Sequence, residues 1–222
     1  FDPFSFVRSG PEFVSDIQVI ADAMVMAAPG DKPHFTEAAR TIIAALLAYV
    51  YETNQPPKDR NLTGVYHLLT VSPEAFDKWA EKVIAMPDFA GGLPAMGASI
   101  WLRVGHDERG SFYSTMMRQV SWLLEQRIKD LMSKSTFDLK DLMSGNLDLF
   151  ICLPNHLMSS YSRLARLMIT LAVTTILRAG RRPAQDVLFL LDELPVLGRL
   201  NAVLNPEDGT GALTVGRAQG IK

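Results

Sequence analysis

Asp192 and Glu193 are the residues with the clearest chemical use. They directly follow the apolar run Val187–Leu191 in "VLFLLDELPVLGRL". A buried parallel strand delivers its C-terminal end to the crevice where ligands bind. A first carboxylate at such a tip holds Mg²⁺ through water, as hard oxygen ligands do. A second orients and deprotonates an attacking water. Phosphoryl transfer asks a protein mainly for positioning and charge balance, so two adjacent acids with separate jobs suit it. The pattern reads as a Walker B strand. Its plain alternative is a capped strand end, because apolar-apolar-Asp-Glu is common. No G-x-x-x-x-G-K-[ST] loop occurs in the 222 residues, so nothing here cradles phosphates.

Other reactive side chains form no comparable pattern. His34, His67, His106 and His156 stand at no metal-ligand spacing, and Cys152 has no second cysteine. Ser159 and Ser160 are outside any G-x-S-x-G elbow. Arg163, Arg166, Arg178, Arg181 and Arg182 cluster around one predicted helix. They read as a solvated helix end, or as a face turned toward DNA or a neighbouring subunit. The methionines recur at helical steps and read as core filler.

The elements that position the acids come late in the chain. Leu147–Leu153 and Val187–Leu191 are apolar runs, with a long helix expected over Leu157–Arg178 between them. Strand, helix, strand is a β-α-β unit with parallel neighbouring strands. Continuous hydrophobicity predicts that both strands are covered on both faces. Before this unit the texture is helical. Phe1–Gly10 reads as extended. Helices are predicted over Glu12–Ala28, Thr36–Thr53, Leu62–Leu69 and Pro73–Met86, the last capped by Ser72 with Pro73 first. "PDFAGGLP" reads as a break. Ser111–Ser133 carries the widest apolar stripe and reads as one helix, with Glu125 facing Lys129. Asp138–Met143 is a short turn.

Bulk composition suits a globular chain. Apolar residues make up 48%, charged residues 21%, and the net charge is −2. That excludes a strongly basic nucleic-acid footprint. A lone cysteine excludes an internal disulfide and suits a reducing compartment. No apolar run approaches the ~20 residues of a membrane-spanning helix. No signal peptide is visible, and the start at Phe1 reads as a piece of something longer.

Taken in order, "FDPFSFV", "HFTEAARTIIAALLAYVYE", the stripe of Ser111–Ser133, "LDLFICLP" with "YSRLARLMI", "FLLDELPVLGRL" and "GRAQGI" resemble the type IV secretion coupling proteins, the hexameric ATPases of bacterial conjugation. The resemblance covers nearly the whole chain. It implies a mostly α architecture: an all-α bundle inserted into a partial RecA-like α/β domain with a parallel sheet. Residues 1–10 would flank the motor, 11–145 would be the all-α domain, and 146–222 would be partial motor. It implies that the phosphate loop lies upstream, that Asp192 organises magnesium, that Glu193 is the catalytic base, and that Arg217 reaches a neighbouring subunit's ATP. Arg217 also reads as a solvated helix-end cation. Two departures stand out. Phe35 sits where the family often has Trp, and "NPEDGTGALT" looks longer than usual.

The resemblance further implies ATP and Mg²⁺ in the full-length protein, with none expected on this piece, which alone should not hydrolyse ATP. It implies a homo-hexamer on the cytoplasmic side of a bacterial inner membrane, working with other secretion-system ATPases. Residues 11–145 hold 17 acids and 13 bases, a poor match to phosphates. They suit a protein partner, and the resemblance points to effectors or relaxase–DNA complexes bearing a C-terminal secretion signal. Direct contact with single-stranded DNA, or a ring-stabilising role, are the alternatives. The loops "ETNQPPKDR", "MPDFAGGLPAMG" and "RVGHDERG" are candidate contact regions, and Phe89, Leu93 and Met96 are either exposed anchors or core.

Overall fold

The computed structural model describes residues 1–27, 30–53, 60–192, 200 and 216–222, leaving aside the side chains of Asn155, Ser159, Ser160 and Arg217. The architecture is mostly α, in two compact units, Phe1–Ser135 and Thr136–Lys222. No single helix among the described residues is long and apolar enough to cross a membrane.

The first unit is built around α2, Pro33–Thr53. Every residue from Ile42 to Ala48 is buried, so this stretch of the helix is apolar on all sides and forms the centre of the core. Around it pack α1 (Phe13–Met24), α3 (Leu62–Leu69), α5 (Leu93–Arg103) and α6 (His106–Val120). The small residues of α2 allow a close crossing with α5. A Cβ added at Gly97 would stand 2.4 Å from the Ala45 Cβ. Glycine costs a helix interior up to about 1 kcal/mol relative to alanine, and here backbone contact requires it.

α4 is Pro73–Ile84, and the Ser72 hydroxyl accepts from the Ala75 N–H at 3.3 Å, the predicted cap. Between α4 and α5, Ala90, Gly91 and Gly92 all have positive φ. A Cβ at Gly91 would meet the Val14 side chain at 2.4 Å. The break expected at "PDFAGGLP" is therefore a packed left-handed turn. α5 follows it directly, a helix that the sequence reading passed over.

Three local expectations are corrected. Phe1–Gly10 is not extended: Pro3–Phe6 is a 3-10 turn capped by Asp2, and Phe4 and Phe6 are buried. The segment belongs to the helical unit, where the Asp2 N–H donates to the Ser135 hydroxyl at 2.8 Å. Ser111–Ser133 is not one helix. α6 ends at Val120, a 3-10 turn spans Ser121–Leu124, and α7 is Gln126–Met132. Glu125 has ψ 122° and resets the helical phase. The physical reason is Trp122, which lies off the Met116–Val120 stripe. Breaking the helix buries it beside Leu123, with its indole N–H donating to the Gln119 carbonyl at 2.8 Å.

The third correction concerns the second unit. α8 spans Met158–Leu177, close to expectation. The two apolar runs are not strands paired with each other. Among the described residues the β pairing is one isolated parallel bridge, Val187 with Ile221. Nor are the runs covered on both faces. Leu147, Leu149, Ile151 and Leu153 are half-buried while their alternate neighbours are exposed, and Val187–Leu191 alternates in the same way. Ile151, Leu153, Val187, Phe189 and Leu191 pack on a cluster containing Ala165, Ile169 and Val173 of α8. Phe150, Leu188 and Leu190 face outward, 83%, 62% and 84% exposed.

Candidate active site

The acid-bearing segment is fixed at its base. Val187 N–H donates to the Gly220 carbonyl at 2.8 Å, Lys222 N–H to the Val187 carbonyl at 2.9 Å, and Phe189 N–H to the Lys222 carbonyl at 2.8 Å. This is the slanted, evenly spaced pattern of parallel pairing. From there the apolar residues on the inner face anchor the segment to α8, and Asp192 follows as an exposed turn residue. Glu193 lies outside the described residues.

Arg217 belongs to the 3-10 turn Gly216–Gln219, closed by the Ile221 N–H donating to the Gly216 carbonyl at 2.9 Å. Only its backbone is described. The turn immediately precedes the bridge, so it sits beside the start of the Val187–Leu191 segment. Asp192 comes five residues after Val187. At a strand rise of about 3.3 Å per residue an extended run of this length would carry Asp192 about 16 Å along the segment. The structure thus puts the Arg217 turn and Asp192 on adjoining segments, toward opposite ends.

Around the base, Asp186 accepts from Lys222 Nζ at 2.8 Å and from Arg182 Nη2 at 3.1 Å. The hydrogen bond from Lys222 is the main cause holding its carboxyl below the usual value. Gly220 is buried with φ +82°, and a Cβ there would stand 2.9 Å from Pro183 Cδ. Sequence reasoning passed over Asp186 and Gly220. Proximity to "GRAQGI" is a signal only once the bridge is known.

The described residues supply one tip carboxylate, Asp192, and no cradle for phosphates. Among them no group of three or more His, Cys, Asp or Glu could hold a metal. Of the arginine cluster, Arg166 is buried within α8, whereas Arg181 is exposed and Arg182 is engaged by Asp186. A solvated helix end describes Arg181 but not Arg166.

The candidate contact loops also have definite places. Of "ETNQPPKDR", residues 54–59 lie outside the described set. Leu93 is core at 3% exposure, Met96 is 45% exposed, and the half-buried Phe89 ring stands 6.1 Å from Tyr49. "RVGHDERG" carries Arg109. Its guanidinium donates to the Trp101 and Leu102 carbonyls at 3.0 and 3.2 Å and pairs with Asp77 at 3.3 Å. The Trp101 indole N–H donates to the same Asp77 at 2.7 Å. Four residues from three helices thus lock the α4–α5–α6 corner. His34 and Glu108 side chains meet at 2.7 Å near the start of α6.

A family model described as type IV secretory system conjugative DNA transfer matches residues 1–207, across both units. The chain belongs to this conjugative DNA transfer family. The match includes Asp192 and Glu193 and ends before Arg217. The chain is similar to the type IV secretion system-coupling protein VirD4 of Bartonella quintana (strain Toulouse), 24% identical over 176 residues, 79% of this chain and 27% of that protein. VirD4 of Bartonella henselae gives the same identity and coverage. The conjugal transfer protein TraG of Agrobacterium fabrum is 27% identical over 123 residues, 55% of this chain and 18% of that protein. The chain therefore spans about a quarter of the length of these VirD4 relatives. No solved structure matches it. The family match thus covers the whole helical unit and most of the second.

Proposed function

We propose that the helical unit receives cargo for a coupling ATPase and that the second unit is part of its motor. The observation that carries this reading is the family match over residues 1–207. The helical unit holds 16 acids and 13 bases, which favours a protein partner over a phosphate backbone. The partner is an effector, or a relaxase joined to DNA, presenting a C-terminal signal. In the full-length protein Leu147–Leu153 and Val187–Leu191, not paired with each other here, would be non-adjacent segments of a RecA-like parallel sheet. The outward Phe150, Leu188 and Leu190 support this, because a parallel sheet is normally covered on both faces.

In the full-length protein, a homo-hexamer at the cytoplasmic face of the inner membrane working beside other secretion ATPases, ATP and Mg²⁺ would be held partly by Asp192. Glu193 would take the proton of the attacking water. Arg217 would balance charge on the nucleotide of a neighbouring subunit. The position of its turn beside the base of the acid segment favours that role over service to its own subunit's tip.

The test is titration of the purified chain with a labelled relaxase C-terminal tail and, separately, with single-stranded DNA. Tail binding without DNA, with perturbed residues mapping to Phe1–Ser135, is expected. DNA binding that falls steeply with salt, with no tail binding, would replace the receptor reading with direct DNA contact.

A further inference from the structure

We propose that Asp186 and Gly220 are positioning residues that hold the Arg217-bearing turn against the base of the segment ending in Asp192. The inference rests on the nucleotide reading of Asp192, Glu193 and Arg217 given above. Two segments far apart in sequence meet here through one short parallel pairing. The backbone pairing is short, and Val187, Phe189, Leu191 and Ile221 also pack on the α8 cluster. Three further contacts join the two segments directly.

Asp186 immediately precedes the bridge residue Val187 and joins Arg182 on its own segment to Lys222 on the other. Slippage by one residue would move Lys222 by about 3.3 Å and break the 2.8 Å contact. Gly220 sits at φ +82°, and a Cβ there would stand 2.9 Å from Pro183 Cδ and 3.3 Å from its Cγ. Any side chain would be strained by the backbone and would also push Pro183 away. The Ala184 N–H donates to the Met143 carbonyl at 2.9 Å, which anchors the Pro183 side of the clasp to the 3-10 turn Leu139–Ser144. Gly216 and Ile221 then close the turn on itself. The backbone of Arg217 is determined by this chain of contacts. A cation that must meet a developing charge gains from such a rigid base, since a displacement of about 1 Å can cost a hundredfold in rate.

The experiment is steady-state ATPase kinetics of the full-length protein carrying Gly220→Ala, Asp186→Asn, Asp186→Glu, Arg217→Ala or Glu193→Gln, with melting temperatures beside them. Gly220→Ala and Asp186→Asn are expected to lower kcat by about ten- to a hundredfold. The KM for ATP should stay near wild type, the melting temperature of Asp186→Asn should not move, and Asp186→Glu should recover most of the turnover. If Gly220→Ala fails to fold, the Asp186 pair carries the test. Wild-type kcat in Asp186→Asn, with Arg217→Ala and Glu193→Gln inactive, would overturn the clasp and leave the nucleotide reading standing. A fall in kcat that tracks the melting temperature and is not recovered by glutamate would reduce the clasp to a structural contact. Wild-type turnover in Arg217→Ala and Glu193→Gln would overturn the nucleotide reading and the clasp with it.

Discussion

The two units satisfy their backbones in different ways. In Phe1–Ser135 nearly every element is a helix, which pairs its own N–H and C=O groups and needs neighbours only for its apolar stripe. α2 supplies that neighbour at the centre. Among the described residues of Thr136–Lys222 one α-helix is flanked by two extended runs whose inner faces rest on it and whose outer residues are exposed. An extended run has no pairing within itself and finds its backbone partners elsewhere. The helical unit therefore satisfies its backbone largely within its own elements. A segment with period-two burial depends on neighbours beside it and on one face.

That contrast can be broken most forcefully at the centre of the first unit. Leu46 is fully buried in α2. Leu46→Ala is expected to destabilise the helical unit by about 2–5 kcal/mol, through lost transfer energy and the cavity left behind. Urea denaturation followed by the fluorescence of Trp79, Trp101 and Trp122, all within this unit, would report it. A cost under about 1 kcal/mol would mean that α2 is not the centre of a close-packed core.

The outer face of the second unit should behave in the opposite way. Replacing Phe150 and Leu190 with serine should change stability by no more than about 0.5 kcal/mol, as surface changes do. It should also reduce self-association in light scattering, because a bare apolar patch is a contact liability. Strong destabilisation of the 222-residue chain would show the face to be covered and remove the contrast.

The smallest effect is one of sign. Asp2 in the first unit has its carboxyl raised above 3.8, chiefly by burial, while Asp186 in the second is held below 3.8, chiefly by Lys222. For Asp2 the folded state binds its proton more readily than the unfolded one, so lowering the pH through its folded pKa toward 3.8 stabilises the first unit. For Asp186 the contribution is present above 3.8 and is lost as pH falls through its folded value. Carboxyl NMR titration should show the two moving in opposite directions, and a shared direction would sink the assignment.

Much of the helical unit was legible from sequence because its signals are local. Ser72 with Pro73 marked the start of α4, and the three- and four-residue spacing in Thr36–Thr53 marked α2. α5 was hidden because Gly91, Gly92, Pro94 and Gly97 look like a breaker run. Their purpose appears only when Val14 and Ala45 are seen against them. The break after Val120 was hidden for the same kind of reason. No local rule asks a helix to stop so that Trp122 can be buried.

At the candidate site, the acid pair was legible as residue types after an apolar run, and the family followed from the order of segments. Which faces of that run are covered was not legible. Val187–Leu191 is apolar at every position, so its composition carries no phase, and only packing on α8 selects Val187, Phe189 and Leu191 as the inner face. The clasp of Asp186, Gly220 and Lys222 was invisible for a related reason. Residue order along the chain determined most of the helices, the acids and the kinship of this protein. The meeting of residues more than thirty positions apart was decided by tertiary structure alone, because a parallel pairing is made between segments that do not adjoin in sequence and leaves no periodic mark in either.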